Sequence, residues 1–128
     1  MRLLLDTHTF LWFIQGNDDL SDVARALIED SANQKLISIA SLWEISIKVS
    51  IGKLEIEMPM TELVKNQVLG NAFDILDISP QHLDELAKLT FHHKDPFDRL
   101  MIAQSLAEGI SIVSKDNAFR GYSAQLIW

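Results

Sequence analysis

Apolar residues in this chain fall into short runs separated by longer amphipathic stretches. RLLL (2–5), LISIA (36–40), FDILDIS (73–79), ISIVS (110–114) and AQLIW (124–128) read as strands. They are short and mostly apolar, as strands are when helices cover both faces of a sheet. The segments between them carry helical spacing. Residues 7–15 read as a helix or turn-plus-helix, and Ser21 can cap a helix running to about residue 32. Residues 41–51 are amphipathic and end at Gly52, residues 59–69 end near Gly70, and residues 80–89 follow Pro80. The last helix spans 97–108, with Gly109 in a C-cap position. The three prolines each fall near a helix start, where proline is tolerated.

Strands alternating with helices predict an α/β fold, a three-layer α/β/α sandwich on a mainly parallel five-stranded sheet. The 128 residues show no repeat and no linker, so a single domain is expected over 1–128. No apolar run approaches the ~20 residues that span a bilayer. Asp6 interrupts the opening leucines, and no small-residue cleavage site follows, so the N-terminus reads as a buried strand of a cytoplasmic protein. With no cysteine, disulfides, thiol catalysis and zinc–thiolate sites are excluded.

The formal charge of −7 argues against passive binding of nucleic acid, which calls for a basic patch. The distribution changes that picture. Acids crowd residues 17–30, whereas 91–120 sets Lys94, Arg99, Lys115 and Arg120 against Asp95, Asp98, Glu108 and Asp116. Acids that ligate a metal do not count as free repulsive charge.

In a parallel sheet, ligands bind at the carboxyl ends of the strands. Asp6 directly follows the first strand, and Asp116 follows the fourth by two residues. Glu44 lies one turn into the helix after the second strand, and Asp98 opens the helix that feeds the fourth. Four segments thus bring carboxylates toward one edge. Such groups repel one another and are costly to desolvate. A hard divalent cation, Mg²⁺ or Mn²⁺, relieves both penalties and can polarise a phosphate or activate a water.

LLLDTHTFLWF, SIASLWEISIKVSIGKL and DPFDRLMIAQSLAEGISIVSKDNAF resemble, in order and spacing, the blocks of the PIN-domain family. The nearest likeness is to the VapC-like toxins of bacterial toxin–antitoxin pairs. The run D-x₁₀-G-x₆-D from Asp98 through Gly109 to Asp116 is the most specific part. The resemblance implies a metal-dependent ribonuclease using Mg²⁺ or Mn²⁺, a cognate antitoxin partner and a homodimer. Asp6 is similar to the family's first-strand metal aspartate, Glu44 to its helix glutamate, and Asp98 to the aspartate opening the helix that precedes the fourth strand. Asp116 is similar to the aspartate of its T-x-D motif, with Ser114 in place of threonine and able to hold a metal water. Thr7 is similar to the small hydroxylated residue beside the first aspartate.

Structural readings stand beside these. Ser41-Leu42-Trp43-Glu44 matches a capping box, in which Glu44 only satisfies backbone N–H groups. Glu44 and Lys48 form an i,i+4 pair. Asp95, before Pro96, reads as an N-cap and ranks below Asp98 as a ligand. Asp116 can cap the turn DNAF. Arg99, beside Asp98, is the best candidate for a phosphate contact, or else a surface or interface salt bridge. His8 reads as a first-turn residue near the site edge and His92-His93 as a solvated loop pair. The implied mechanism needs none of them. Trp12, Phe13 and Trp43 read as core or dimer contacts in preference to base-stacking platforms. The competing functions are a haloacid-dehalogenase-type phosphotransferase, which lacks its second aspartate because His8 stands there, a receiver-type signalling module, and a non-catalytic protein on the same fold.

Overall fold

Three consecutive leucines suit a strand buried on both sides. The computed structural model describes residues 1–92 and 94–128; the expectation for His93 lies outside the described residues. Its strands are β1 (Arg2–Leu5), β2 (Gln34–Ser38), β3 (Phe73–Leu76), β4 (Ser111–Val113) and β5 (Leu126–Ile127). They form one sheet in the order β3-β2-β1-β4-β5, with every pairing parallel. The helices are α1 (Thr7–Gln15), α2 (Asp22–Glu29), α3 (Ile39–Ser50), α4 (Met60–Leu63), α5 (Pro80–Lys88) and α6 (Pro96–Glu108).

Side chains of a strand alternate between faces. Leu3 and Leu5 accordingly join a core with Phe10, Ile28 and Ile45 from α1, α2 and α3. Leu4 points the other way, into a core with Met101 and Ile102 of α6 and with Phe119. The α/β/α sandwich is therefore as expected, and the sheet is wholly parallel. Its order differs from the 2-1-3-4-5 order of receiver-type domains. No helix among the described residues is long and apolar enough to cross a membrane.

The local differences have physical causes. The second strand stops at Ser38, not at residue 40, because the Ser38 hydroxyl accepts the Ala40 N–H at 3.1 Å and starts α3. Ser41 is therefore inside the helix, donating to Met101 Sδ at 3.5 Å, and the Ser41–Glu44 capping box does not form. The helix expected over 59–69 runs from α4 into a π-type turn at Val64–Val68 and a 3₁₀ turn at Leu69–Asn71. The third strand ends at Leu76 instead of residue 79. It lies at the sheet edge, with only β2 to pair with. The caps at Ser21, Asp95 and Gly109 form where expected.

The chain lays down β2 and β3 on one side of β1, then returns to place β4 and β5 on the other. The reversal falls between β1 and β4. At such a switch point, the crevice beyond the strands' carboxyl ends is where α/β sheets bind ligands.

Candidate active site

Asp6 stands at that crevice. Its backbone N–H donates to Val113 O at 3.2 Å, and its side chain caps α1 by accepting the Thr9 N–H at 2.8 Å. The other carboxylate oxygen accepts the Ser114 hydroxyl. Thr9 Oγ1 donates to Val113 O at 3.0 Å, tying α1 to the end of β4. The Asp6 carboxyl is buried, and desolvation pushes its pKa above the ordinary 3.8 despite lowering by the Ser114 and Thr9 hydrogen bonds. That is the behaviour of an acid removed from water without a full counter-charge.

Ser114 is itself fully buried and accepts the Asp116 N–H at 3.0 Å, so one hydroxyl joins two of the expected acids. Asp116 caps the 3₁₀ turn Asn117–Gly121 through one oxygen, which accepts from Ala118 N at 2.9 Å. Glu44 reaches the site from the first full turns of α3. The Thr7 hydroxyl donates to its Oε1 at 2.6 Å, and Lys48 Nζ lies 3.3 Å from its Oε2. With the capping box gone, Glu44 is held by a residue adjoining Asp6. Asp95 caps α6 through one oxygen, which accepts from Phe97 N and Asp98 N at 2.9 and 3.0 Å.

These residues share one pocket of about 230 Å³, lined by Asp6, Thr7, His8, Glu44, Lys48, Asp95, Asp98 and Asp116. All four sequence-predicted acids are brought together, and Asp95 joins them. As placed, no three acidic or imidazole groups among the described residues converge tightly enough to grip an ion by themselves. Apart from His8, the possible ligands are nevertheless all hard oxygen and strongly anionic, with Lys48 already paired to Glu44. That chemistry suits a small divalent cation that keeps several of its waters.

Other sites fall differently. Ser114 donates to the Asp6 carboxylate itself, the one direct contact its buried hydroxyl makes in the acidic set besides Asp116 N. Thr7 likewise orients Glu44. Arg99 turns away from the pocket: Nη1 donates to Thr90 O at 3.2 Å and to Tyr122 Oη at 3.3 Å, and the guanidinium lies 4.9 Å from the Phe91 ring. Neighbours on a helix point about 100° apart, so adjacency to Asp98 does not carry Arg99 into the site. Phe13 packs on Phe73 in the core, as expected. Trp43 is 60% exposed with its edge against Phe97, so it is not core. Trp12 packs on the core as expected and also lines an adjoining cleft with Asp6, His8, Lys115 and Asp116; Lys115 was passed over as a site residue. The i,i+4 spacing of His8 and Trp12 and the position of Lys115 between Ser114 and Asp116 were the available signals.

Comparison with known proteins follows the same lines. The PIN domain matches residues 3–124. Among solved structures, VapBC2 from Rickettsia felis, bound to a DNA fragment from its promoter, is similar at 19% identity and TM-score 0.74, covering 100% of this chain and 99% of that one. DNA-bound VapBC from Salmonella typhimurium is similar at 13% identity and TM-score 0.72, covering 99% and 97%. A toxin–antitoxin complex from Klebsiella pneumoniae is similar at 17% identity and TM-score 0.67, covering 98% and 96%. A search of curated proteins found no match.

Proposed function

The chain belongs to the PIN domain family, and on that premise we propose that it is a metal-dependent ribonuclease, the toxin of a toxin–antitoxin pair. The observation that carries this reading is the single pocket in which Asp6, Glu44, Asp98 and Asp116 meet at the sheet's switch point. These four would hold Mg²⁺ or Mn²⁺. When bound, such an ion supplies positive charge to a phosphate oxygen and acidity to a water.

The chain's own groups do the rest. Thr9 N–H and the Ser114 hydroxyl fix both oxygens of Asp6, so its orientation is set before any ligand arrives. Thr7 and Lys48 do the same for Glu44. Carboxylates so held can position the attacking water and accept its proton as the phosphodiester is hydrolysed. An acidic surface otherwise repels a polyanion, so cleavage and binding should both depend on added divalent ion.

The antitoxin and a second copy are the partners this reading requires. Their support is the apolar row Ile39, Trp43 and Ile47 on α3, which is 37%, 60% and 37% exposed, and the toxin–antitoxin complexes among the similar folds. The reading places the protein's work in the cytoplasm, where RNA is.

Incubation with a mixed single-stranded RNA pool tests the assignment. EDTA should silence cleavage and Mn²⁺ restore it, while Asp6→Asn should abolish it with the fold intact. Full metal-dependent activity in Asp6→Asn would remove Asp6 from the site, and cleavage in EDTA would sink the mechanism.

A further inference from the structure

Beside the carboxylate pocket lies a second cleft of about 230 Å³, lined by Asp6, His8, Trp12, Lys115 and Asp116. Asp6, His8 and Asp116 line both, so the two are lobes of one groove. The second lobe has another chemistry. One wall is the indole of Trp12, which is half-buried and anchored on the core below. Its ring meets Trp128 edge-on at 5.9 Å and 62°, and His8 at 5.9 Å and 37°. Lys115 is exposed and makes no ion pair among the described residues.

We propose that this lobe is a nucleotide subsite for single-stranded RNA, with a base stacked on Trp12 and a neighbouring backbone phosphate on Lys115. The inference rests on the ribonuclease reading and adds where the strand lies. Three features argue for it. An aromatic face held by its neighbours offers stacking with little side-chain freedom left to lose. A base can reach such a face only when it is not stacked in a duplex, which selects single strands, loops or ends. An anionic strand crossing an acidic groove needs a local cation beyond the metal site, and Lys115 sits beside Asp116, one residue from the expected ligand set. Stacking accepts any base, so this subsite sets strandedness more than sequence.

Steady-state cleavage of a single-stranded oligoribonucleotide in Mn²⁺ tests the assignment, with wild type, Trp12→Leu, Trp12→Phe and Lys115→Gln compared. Trp12→Leu should raise KM about five- to 150-fold, with kcat nearly unchanged. Trp12→Phe keeps a ring and should recover most of the loss, which separates stacking from damage to the core. Lys115→Gln should raise KM and lower the slope of log KM against log salt by about 0.7, the share of one single-strand phosphate. Thermal melts check that each variant is folded. If wild type cleaves and KM is the same in Trp12→Leu and Lys115→Gln, the subsite is wrong and the ribonuclease reading stands. If Trp12→Leu weakens a protein partner but not RNA, the lobe is a protein contact and the subsite is equally wrong. If wild type shows no Mn²⁺-dependent cleavage, the ribonuclease reading fails and takes the subsite with it.

Discussion

The Asp6 carboxylate accepts hydrogen bonds from both sides, Thr9 N–H on one oxygen and Ser114 Oγ on the other, yet burial still raises its pKa. A raised folded pKa means that the neutral form favours folding. The stability it gives is fully present below the ordinary value of 3.8 and is lost as pH rises through the folded pKa. At neutral pH without metal, ionised Asp6 therefore works against the fold. Asp6→Asn keeps an oxygen for the Thr9 cap and removes the charge. In EDTA at pH 7 its melting temperature should be no lower than wild type, and the gap should close as the pH is taken down toward 4; a clear loss of stability at pH 7 would contradict the burial argument. Ser114→Ala takes away a donor and keeps the charge. It should destabilise by about 1–3 kcal/mol in urea melts, and should impair cleavage even though Ser114 is not among the expected metal ligands. Asp6 and Asp116 were legible because strand ends in a parallel sheet are predictable from the apolar runs; Asp98 rested on its spacing to Gly109 and Asp116, and Glu44 largely on the family resemblance. The Ser114–Asp6 bond was not legible, since 108 residues separate them and only the pairing of β1 with β4 brings them together.

At the scale of elements, α3 matters most, because its start determines where Glu44 points. Two serines three residues apart, Ser38 and Ser41, compete for the N-cap, and local sequence favours Ser41 through its S-x-x-E pattern. Burial decides otherwise: Ser38 ends a buried strand, and Ser41 packs against Met101 of α6. Ser38→Ala should cost about 1 kcal/mol through the lost cap, whereas Ser41→Ala should cost less, since it gives up only a bond to a weak thioether acceptor and gains helix propensity. Equal losses, measured by denaturant melts, would mean the helix starts elsewhere. The same competition between local and tertiary signals explains the rest. The Asp95 and Gly109 caps of α6 are local chemistry and were readable. Gly109, at φ 66°, ends α6 in the left-handed region that other residues reach only at a penalty. The fate of Arg99 depended on Thr90, Phe91 and Tyr122, which come from loops that no periodicity locates.

For the whole molecule, charge sets the terms. A formal −7 is tolerable in solution, but five carboxylates concentrate it around one pocket, where Asp6 is buried and the other four are half-buried or exposed. Two kinds of cation can relieve this, and they act differently. Monovalent salt screens exposed charges at long range and does little for a buried group such as Asp6. A bound divalent ion stabilises by mass action instead, about 2.7 kcal/mol when its concentration is a hundred times Kd. For a domain of this size that amounts to a rise in Tm on the order of 10 °C. Mn²⁺ at millimolar concentration should therefore raise Tm well beyond what NaCl of equal ionic strength achieves. The increment should shrink in Asp6→Asn, Glu44→Gln, Asp98→Asn and Asp116→Asn, and should survive in Asp95→Asn if Asp95 serves only as the α6 cap. Thermal melts with and without EDTA read this directly, independent of any RNA. A rise of the same size in NaCl, or one unaltered by all four substitutions, would mean that the ion only screens the surface. Asp6, Asp95 and Asp116 would then serve as helix and turn caps, and Glu44 as a partner of Thr7 and Lys48, that happen to share an edge.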